Sequence, residues 1–395
     1  MSKLEELIQR YCPDGVEYKA LKEVLKIKNG RDYKHLGSGS IPVYGSGGIM
    51  TYVDTSMYDK PSVLIPRKGS IDKLYYVDTP FWNVDTVFYT EINTSLVKEK
   101  YVFYVLQKEH LEKLNTAGGV PSLTQAVLNE VVIPVPPMPV QEEIVRILDS
   151  FTELQAELQA ELQKRKQQYN YYLDNLLSFN NINRGGYREE VRWMKMSEVG
   201  TFYSGLSGKS KDDFQNGNAK FITYVNVFNH PALETDVEDK VKIMDGEKQN
   251  TVQYGDLLFT GSSETPDECG MCSVLTHHTD EKLYLNSFCF GFRFNNLSGI
   301  NPDFMKFLFR SSAIRKLICK TANGVTRYNV SKKEFAKIVI PIPSIEIQNQ
   351  IATILDKFYS LIGDISIGLP AEIEKRQQQY EYYRDRLLTF KRKGA

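Results

Sequence analysis

The chain has 395 residues, in which 49 Lys and Arg balance 49 Asp and Glu to give a formal net charge of zero. This length exceeds what one hydrophobic core supports, and it predicts two domains of roughly 150 residues with connecting segments. The balanced charge gives no indication of a polyanion partner, so any nucleic-acid contact must come from local basic clusters.

The N-terminal segment, residues 1–15, is predicted to be a helix or extension that precedes the first domain. Its opening residues, Met1 to Glu6, lack the apolar core of a signal peptide. No apolar run in the sequence is long enough to cross a bilayer. We therefore expect a soluble, cytoplasmic protein without a membrane partner.

The first domain, residues 16–138, is predicted to mix strands and short helices. Runs rich in β-branched and aromatic residues, such as Ser62 to Ile65 and Thr86 to Tyr89, are separated by Gly, Pro, Asn and Asp. This pattern is typical of strands joined by turns. A helical stretch is expected from Lys100 to Leu114.

Two loops of this domain have the composition of phosphate-binding turns. One is glycine-rich, so its backbone can approach a ligand closely, and the other combines cations with a hydroxyl. The alternative for each loop is an ordinary solvated turn. The predicted contact residues are Gly45, Ser46, Gly47, Arg67, Lys68 and Ser70.

A long helix, residues 139–180, is predicted to follow. Apolar residues from Ile147 to Leu162 recur in steps of three or four residues, which is the pattern of a coiled-coil seam. Pro139 suits the first turn of a helix. At 1.5 Å per residue the helix would be about 60 Å long.

The second half of the sequence repeats the first after a linker at residues 181–190. Ile133 to Pro136 returns as Ile340 to Pro343, and the residues that follow each copy match at a constant offset. The repeat predicts a second domain at residues 191–343, a second helix at 344–391 and a short tail at 392–395. The second helix is slightly longer, and Pro370 predicts a kink or break there.

The interiors of the two domains have almost no sequence register with each other. The second domain has strand-like runs from Asp256 to Phe259 and from Ser287 to Phe292, and a helical stretch from Pro302 to Leu317. Its loops supply further candidate contacts, including an arginine able to grip guanine. These candidates are Lys209, Ser262, Ser263, Arg327 and Tyr328. A repeated scaffold with different interiors predicts two domains that recognise two different targets.

Several enzyme motifs are incomplete. Lys209 lies in a run that resembles the end of a phosphate-binding loop, but Tyr203 stands where that loop needs glycine. The run from Asn301 to Phe304 departs from the methyltransferase signature it resembles. A pattern of two carboxylates and a lysine at Asp267, Asp280 and Lys282 suits a metal-dependent nuclease, although such spacings also arise by chance.

The five cysteines are scattered and odd in number, which argues against a disulfide framework. Cys269 and Cys272, with His277 and His278, could form half of a zinc site. No second Cys-x-x-Cys pair follows them at the usual spacing. Incidental core or loop cysteines are the alternative.

Taken together, these segments resemble the specificity subunits of type I restriction-modification systems over nearly the whole chain. The segments that carry the resemblance are Pro66 to Ser70, Phe81 to Thr86, Ile133 to Phe151, Gly255 to Thr260, Ile340 to Phe358 and Glu372 to Phe390.

The resemblance implies an α+β fold in which two target-recognition domains are separated by two long helices that form an antiparallel coiled coil. Each domain would read one half of an asymmetric, bipartite double-stranded DNA target through the major groove. The helices would set the spacing and dock two methyltransferase subunits. S-adenosylmethionine, ATP and Mg²⁺ would belong to those subunits and to possible restriction subunits, with no catalytic residue, metal or cofactor in this chain.

The resemblance also implies partner contacts on the helices. The expected partner-binding residues are Gln141, Lys164, Arg165, Tyr169, Tyr172, Gln348, Lys375, Arg376, Tyr380 and Tyr383. Two other classes stay open on the sequence alone. They are a coiled-coil bridging protein that binds other proteins and a stand-alone metal-dependent nuclease.

Overall fold

A computed structural model describes residues 2–115, 121–179, 191–363 and 368–394. The chain divides into two compact units. Unit 1 comprises Met1–Ala160 and Ala371–Ala395, and unit 2 comprises Glu161–Pro370. Each unit contains strands and helices, and each is described by itself. The predicted linker at residues 181–190 lies outside the described residues.

The elements from the N-terminus through the first long helix are as follows. The helices are α1 Lys3–Tyr11, α2 Leu21–Val24, α3 Glu99–Lys108, α4 Gln125–Asn129 and α5 Met138–Leu176, with a 3-10 turn at Leu111–Leu114. The strands are β1 Glu17–Ala20, β2 Leu25–Asn29, β3 Ser38–Gly45, β4 Gly48–Val53, β5 Ser62–Pro66, β6 Tyr75–Val77, β7 Trp82–Asn83, β8 Val87–Ile92 and β9 Val132–Val135.

Unit 1 is built on a four-stranded sheet in the order β2-β8-β5-β6, with a smaller sheet β4-β3-β7. Strand β5 is buried along its whole length. Because side chains alternate across a strand, Val63 and Ile65 pack into one core with Tyr101 of α3. Leu64 packs into a separate cluster with Phe81. Because both faces of β5 are covered, its sequence is a nearly continuous apolar run.

The N-terminal part of α5 pairs with α12, Leu369–Leu387, inside unit 1. Phe151 stacks on Tyr383, with ring centroids 5.5 Å apart, and Gln155 donates to Gln377 at 2.8 Å. The partner numbers fall as the α5 numbers rise, so the two helices are antiparallel. Beyond α12, the Val16 N–H donates to the Lys391 carbonyl at 2.9 Å.

The remaining elements follow α5. The helices are α6 Met196–Val199, α7 Tyr224–Asn229, α8 Pro302–Leu308, α9 Ser312–Cys319, α10 Lys332–Phe335, α11 Ile345–Gly363 and α12, with a 3-10 turn at Lys211–Phe214. The strands are β10 Arg192–Lys195, β11 Gly200–Ser204, β12 Ala219–Ile222, β13 Lys240–Val241, β14 Thr251–Val252, β15 Leu257–Thr260, β16 Ser262–Ser263, β17 Cys272–Val274, β18 Leu283–Leu285, β19 Cys289–Phe294, β20 Ala322–Asn323, β21 Tyr328–Val330 and β22 Val339–Ile342.

Unit 2 contains two four-stranded sheets, β11-β19-β15-β17 and β13-β12-β18-β14, and the small sheet β16-β21-β20. Phe259, Phe290 and Phe335 form an aromatic cluster with centroid separations of 4.9 to 6.0 Å. The end of α5 pairs with α11 in this unit. Tyr172 stacks on Phe358 at 4.9 Å, which repeats the Phe151 and Tyr383 contact of unit 1.

The repeated sequence forms the same closing ladder in each unit. In unit 1 the antiparallel pair β1 and β9 places Glu17 opposite Val135. In unit 2 the pair β10 and β22 places Arg192 opposite Ile342. These are the positions that the repeat relates, so the same pairing joins the start of each domain to the segment that enters its helix.

The predicted helix at residues 139–180 is observed as α5. The predicted second helix is observed as α11 and α12. Pro370 lies in the first turn of α12, where its missing N–H breaks no helical bond. Residues 364–367, between α11 and Gly368, lie outside the described part. No helix in the described ranges is long and apolar enough to cross a membrane.

Candidate functional site

The two candidate loops of unit 1 lie side by side. The turn between β3 and β4 contains Ser46, whose carbonyl accepts a bond from the Tyr75 hydroxyl at 3.0 Å. The turn after β5 contains Gly69, and a Cβ built on Gly69 would lie 3.2 Å from Ser46 Oγ. Gly69 also has a φ of +77°, a conformation that favours glycine. The fold therefore brings the glycine-rich loop and the basic loop to one surface.

The two cations of the basic loop differ in exposure. Lys68 is exposed, whereas Arg67 is half-buried, with its guanidinium carbon 5.1 Å from the centroid of Phe88. Arg67 Nη1 lies 3.5 Å from Asn29 Oδ1, and Arg67 Nε is buried without a hydrogen-bond partner among the described residues. The Phe88 ring therefore holds the Arg67 guanidinium in place, although its Nε makes no hydrogen bond in the described part of the chain. Ser70 and Ser46 are half-buried, Gly47 is exposed, and Gly45 is buried beneath Met50.

An apolar patch on β4 borders these loops and was not predicted. Ile49, Met50 and Tyr52 are each at least half exposed. The ladder pairs Tyr44 with Ile49 and Val43 with Thr51, so Met50 is the extra residue of a β-bulge. The bulge turns successive side chains outward. A bulge is set by strand pairing, so the local sequence gave no signal for it.

Four of the five unit 2 candidates lie together on the small sheet. Ser263 pairs with Tyr328 across β16 and β21, and Arg327 Nε donates to Ser262 Oγ at 3.1 Å. Ser262, Ser263 and Arg327 border an open groove of about 930 Å³. The residues that line this groove are Tyr224, Val225, Phe228, Asn229, Ser262, Ser263, Glu264, Thr265, Glu268, Phe288, Thr326 and Arg327. Ser262 itself is buried, so its hydroxyl positions Arg327 and is not exposed for a ligand.

Lys209 does not fit its predicted DNA-binding role. Its side chain is only 7% exposed, and its ammonium donates to Glu247 and to the Lys242 carbonyl, both at 2.6 Å. The ammonium of Lys209 holds the pKa of Glu247 at about 2. This lysine closes a loop within unit 2 and has no accessible charge to offer to phosphate.

Gln141 and Gln348 are fully buried, contrary to the expectation that they contact a partner. Gln141 accepts a hydrogen bond from the Lys98 N–H and donates to the carbonyls of Leu96 and Pro136. All three distances lie between 2.7 and 2.9 Å. This amide therefore holds the start of a long helix to its own domain.

The second glutamine makes the same set of bonds in unit 2. Gln348 accepts from the Asn301 N–H at 2.9 Å and donates to the carbonyls of Gly299 and Pro343, both at 2.8 Å. The repeat thus preserves an internal clamp, and neither side chain is accessible to a partner.

The tyrosines of the long helices divide into an inner and an outer set. Tyr169 and Tyr380 are buried, and the Tyr380 hydroxyl donates to Gln107 at 2.7 Å. Tyr172 and Tyr383 are partly covered by the ring stacks described above. The most exposed tyrosines are instead Tyr171, at 66%, and Tyr382, at 60%.

The basic residues predicted on these helices lie mostly at the surface. Lys164, Arg165 and Lys375 are exposed, and Arg376 is half-buried. Arg165 is paired with Glu161 at 2.7 Å within the helix. The long helices therefore expose basic side chains and one tyrosine that the repeat duplicates.

Metal and thiol chemistry has no assembled site in the described part of the chain. No group of three or more His, Cys, Asp or Glu side chains is placed there to hold a metal ion. Cys269 and Cys272 are buried, and burial raises the pKa of Cys272 to about 12, which keeps its thiol neutral. Asp267 uses its backbone carbonyl to accept a bond from Arg315 at 2.8 Å.

Comparison with known proteins identifies the family. The model of the type I restriction modification DNA specificity domain matches residues 13–165 and 188–375. This chain belongs to that family. A type I restriction enzyme specificity subunit from Escherichia coli is 32% identical over 310 residues, covering 74% of this chain and 70% of the relative. A putative type I specificity subunit from Haemophilus influenzae is 29% identical, with 98% of each chain covered.

Solved structures support the same fold. The S subunit of a type I restriction-modification system from M. genitalium matches with a TM-score of 0.56 at 13% identity, covering 95% of this chain and 96% of that one. A chain from a structure describing assembly and conformational transition of a type I system gives 0.58 at 13% identity, covering 95% and 98%. The family match and the Escherichia coli relative identify the protein as a DNA-specificity subunit of a type I system and not its catalytic component. Neither the bridging-protein nor the nuclease alternative finds support.

Proposed function

We propose that this specificity subunit reads an asymmetric, bipartite DNA target, with one half-site bound by each unit. The observation that carries this proposal is the contrast within the chain. The closing ladders, the buried glutamines and the ring stacks are the same in both units, whereas the candidate binding surfaces differ. Equal scaffolds with unequal surfaces favour two different half-sites at a fixed separation.

The surface of unit 1 suits phosphate and groove contacts. Lys68 supplies an exposed charge, and the turns at Ser46 and Gly69 allow close approach to a sugar-phosphate backbone. Arg67, held against Phe88, adds a second cation to this surface. The exposed apolar patch beside them suits contact with the groove floor. This combination favours DNA over an acidic protein.

The surface of unit 2 suits direct reading of bases. Arg327 is exposed and is oriented by its bond to Ser262. A fixed arginine that grips guanine O6 and N7 typically contributes about 1–3 kcal/mol of discrimination. We assign Arg327 as the main base-reading side chain of this unit, with Ser263 and Tyr328 beside it on the same sheet.

We further propose that two methyltransferase subunits dock on the long helices, one at each repeat. Tyr171 and Tyr382 occupy equivalent positions in the repeated sequence, and both project from helices into solvent. Tyrosine is among the residues that dominate protein–protein binding energy. A duplicated exposed tyrosine suits two copies of one partner.

The length of α5 bears on the spacing of the half-sites. Its 39 residues extend about 58 Å at 1.5 Å per residue. This length corresponds to between one and two turns of DNA at about 34–36 Å each, so the helix length is expected to set the gap between the half-sites. S-adenosylmethionine, ATP and Mg²⁺ are expected on the methyltransferase and restriction subunits.

The test is to co-express this chain with its methyltransferase subunit and to sequence the modified adenines of the host DNA. A split, asymmetric motif is expected. A palindromic motif would contradict the assignment of different half-sites to the two units. A stable complex that leaves the DNA unmodified would contradict the proposed function itself.

A further inference from the structure

Phe288 is an apolar side chain that the fold of unit 2 leaves in solvent. Its ring is 59% exposed, although the next two residues, Cys289 and Phe290, are buried. Single exposed apolar residues are common on protein surfaces, so exposure alone assigns no role. Two further features distinguish Phe288: its backbone is anchored on both sides, and it lies beside Arg327.

The backbone of Phe288 is fixed from both sides. Its N–H donates to Asn286 Oδ1 at 2.8 Å, and its carbonyl accepts from the Gly261 N–H at 2.7 Å. A Cβ at residue 261 would lie 2.7 Å from the Phe288 oxygen, so glycine is needed for this approach. The exposed ring is therefore presented from an anchored turn, as a preorganised contact requires.

Arg327 lies over the same ring. Its guanidinium carbon is 5.7 Å from the ring centroid, and its bond to Ser262 uses Nε. The two terminal nitrogens of an arginine are the donors that grip guanine, so this bond does not compete with base reading. Phe288 and Arg327 thus form one cationic and one apolar contact on the border of the groove.

We propose that Phe288 reads a thymine through its 5-methyl group, one or two base pairs from a guanine held by Arg327. The thymine methyl is the apolar group on the major-groove edges of the bases, and phenylalanine is among the side chains that contact it. The separation of 5.7 Å corresponds to between one and two base-pair steps of about 3.4 Å. This inference rests on the proposed binding of a half-site by unit 2.

The test uses duplexes that carry the target found by methylation sequencing, with each thymine replaced singly by deoxyuridine, which lacks only the methyl group. Binding of the complete complex with its methyltransferase subunits is measured by competition. One thymine of the unit 2 half-site is expected to show about a fourfold loss on replacement. The Phe288→Ala complex should bind both duplexes equally, whereas Ser287→Ala should keep the wild-type response.

Three results separate the possible failures. Equal uridine sensitivity in wild type and Phe288→Ala, or no sensitive thymine in that half-site, overturns the inference. Loss of DNA bending in Phe288→Ala without a uridine effect would make the ring a wedge between base pairs and would also overturn it. Failure of the wild-type complex to bind the target duplex would instead contradict the proposed function.

Discussion

Arg293 clamps the buried carboxylate of Asp256 through two hydrogen bonds, Nε to Oδ1 at 2.9 Å and Nη2 to Oδ2 at 2.6 Å. The Tyr203 hydroxyl and the Gln253 N–H also donate to Oδ2, at 2.7 and 2.8 Å. Burial and the neighbouring carboxylate raise the pKa of Tyr203 well above its usual value. The carboxylate therefore ties β11, β15 and β19 together, which gives a structural reason for the Asp256 segment in the sequence motif.

Replacing Asp256 with alanine is expected to lower the free energy of unfolding by about 3 kcal/mol. The change leaves Arg293 without its partner, and breaking a buried pair typically costs about 3–5 kcal/mol. The lower value applies because the Arg293 side chain is 37% exposed. Urea unfolding of the full chain measures the effect. Glu281→Ala, which breaks the more exposed pair with Lys220, should cost less than about 1 kcal/mol.

Replacing Gln141 or Gln348 with alanine is expected to destabilise the protein by about 2–4 kcal/mol each. Each change removes three hydrogen bonds and leaves buried backbone groups unpaired, at about 1–3 kcal/mol per group before relaxation. Hydrogen exchange should show the loss in the corresponding unit. Glu142→Ala, beside the first glutamine but exposed, serves as the control. An equal loss in that control would contradict the clamp.

The N-terminal helix is expected to bind less firmly to α5 in acid. Hydrogen bonds from Arg146 and Lys3 lower the pKa of Glu143 to about 2 from a usual 4.5. A lowered folded pKa adds stability that is present above pH 4.5 and disappears as the pH falls towards 2. Both cationic side chains are mostly exposed, so the contribution is about 1 kcal/mol.

Melting of wild type and Glu143→Gln across this pH range measures the effect. The advantage of wild type at pH 7 should vanish near pH 2. A constant difference between the two proteins would show that the carboxylate charge is not its source.

Substitution of Tyr171 or Tyr382 by alanine is expected to weaken one methyltransferase site each. Loss of a central anchor costs about 2 kcal/mol or more, which is more than tenfold in affinity. Native mass spectrometry should show one bound subunit for either single variant and none for the double variant. Asn170→Ala and Glu381→Ala, at the neighbouring exposed positions, should keep both subunits. Two subunits on the double variant would exclude these tyrosines as anchors.

Four residues added to α5, with four added to α12, are expected to lengthen the gap between the half-sites. The insertion adds about 6 Å to a helix, which is close to two base pairs. Methylation sequencing reads the gap directly. The half-site sequences should stay the same, because the insertion leaves both binding surfaces intact. An unchanged gap would contradict the role of the helices as a spacer.

The sequence repeat predicted the scaffold better than the binding surface. Ile133 and Ile340 lie in equivalent ladder strands because both copies of the repeat pair in the same way. Periodicity also located α5, but it does not state which helix face another element covers. Tyr169 and Tyr380 were expected at the partner surface, but packing buries them and leaves Tyr171 and Tyr382 exposed. Local pattern cannot resolve this choice, which depends on contacts distant in sequence.

The binding surfaces depend still more on such distant contacts. Lys209 has the local composition of a phosphate-binding loop, yet Glu247 neutralises it from a separate loop. Phe288 reads as a strand residue, but β19 begins one residue later, so the ring projects from a turn. Composition selected the loops around Ser46 and Arg327 as candidates, while the tertiary fold decides which of their side chains are exposed.

The C-terminal residues that pair with Val16 influence the order in which the chain folds during synthesis. Unit 2 comprises Glu161–Pro370, so all of its residues are made before the last segment of unit 1, Ala371–Ala395, leaves the ribosome. Domains usually fold from the N-terminal end as synthesis proceeds. Unit 1 begins first on the ribosome, but it has all of its residues only after 371–395 are made. A chain that stops at residue 370 would therefore contain all of unit 2 and only part of unit 1.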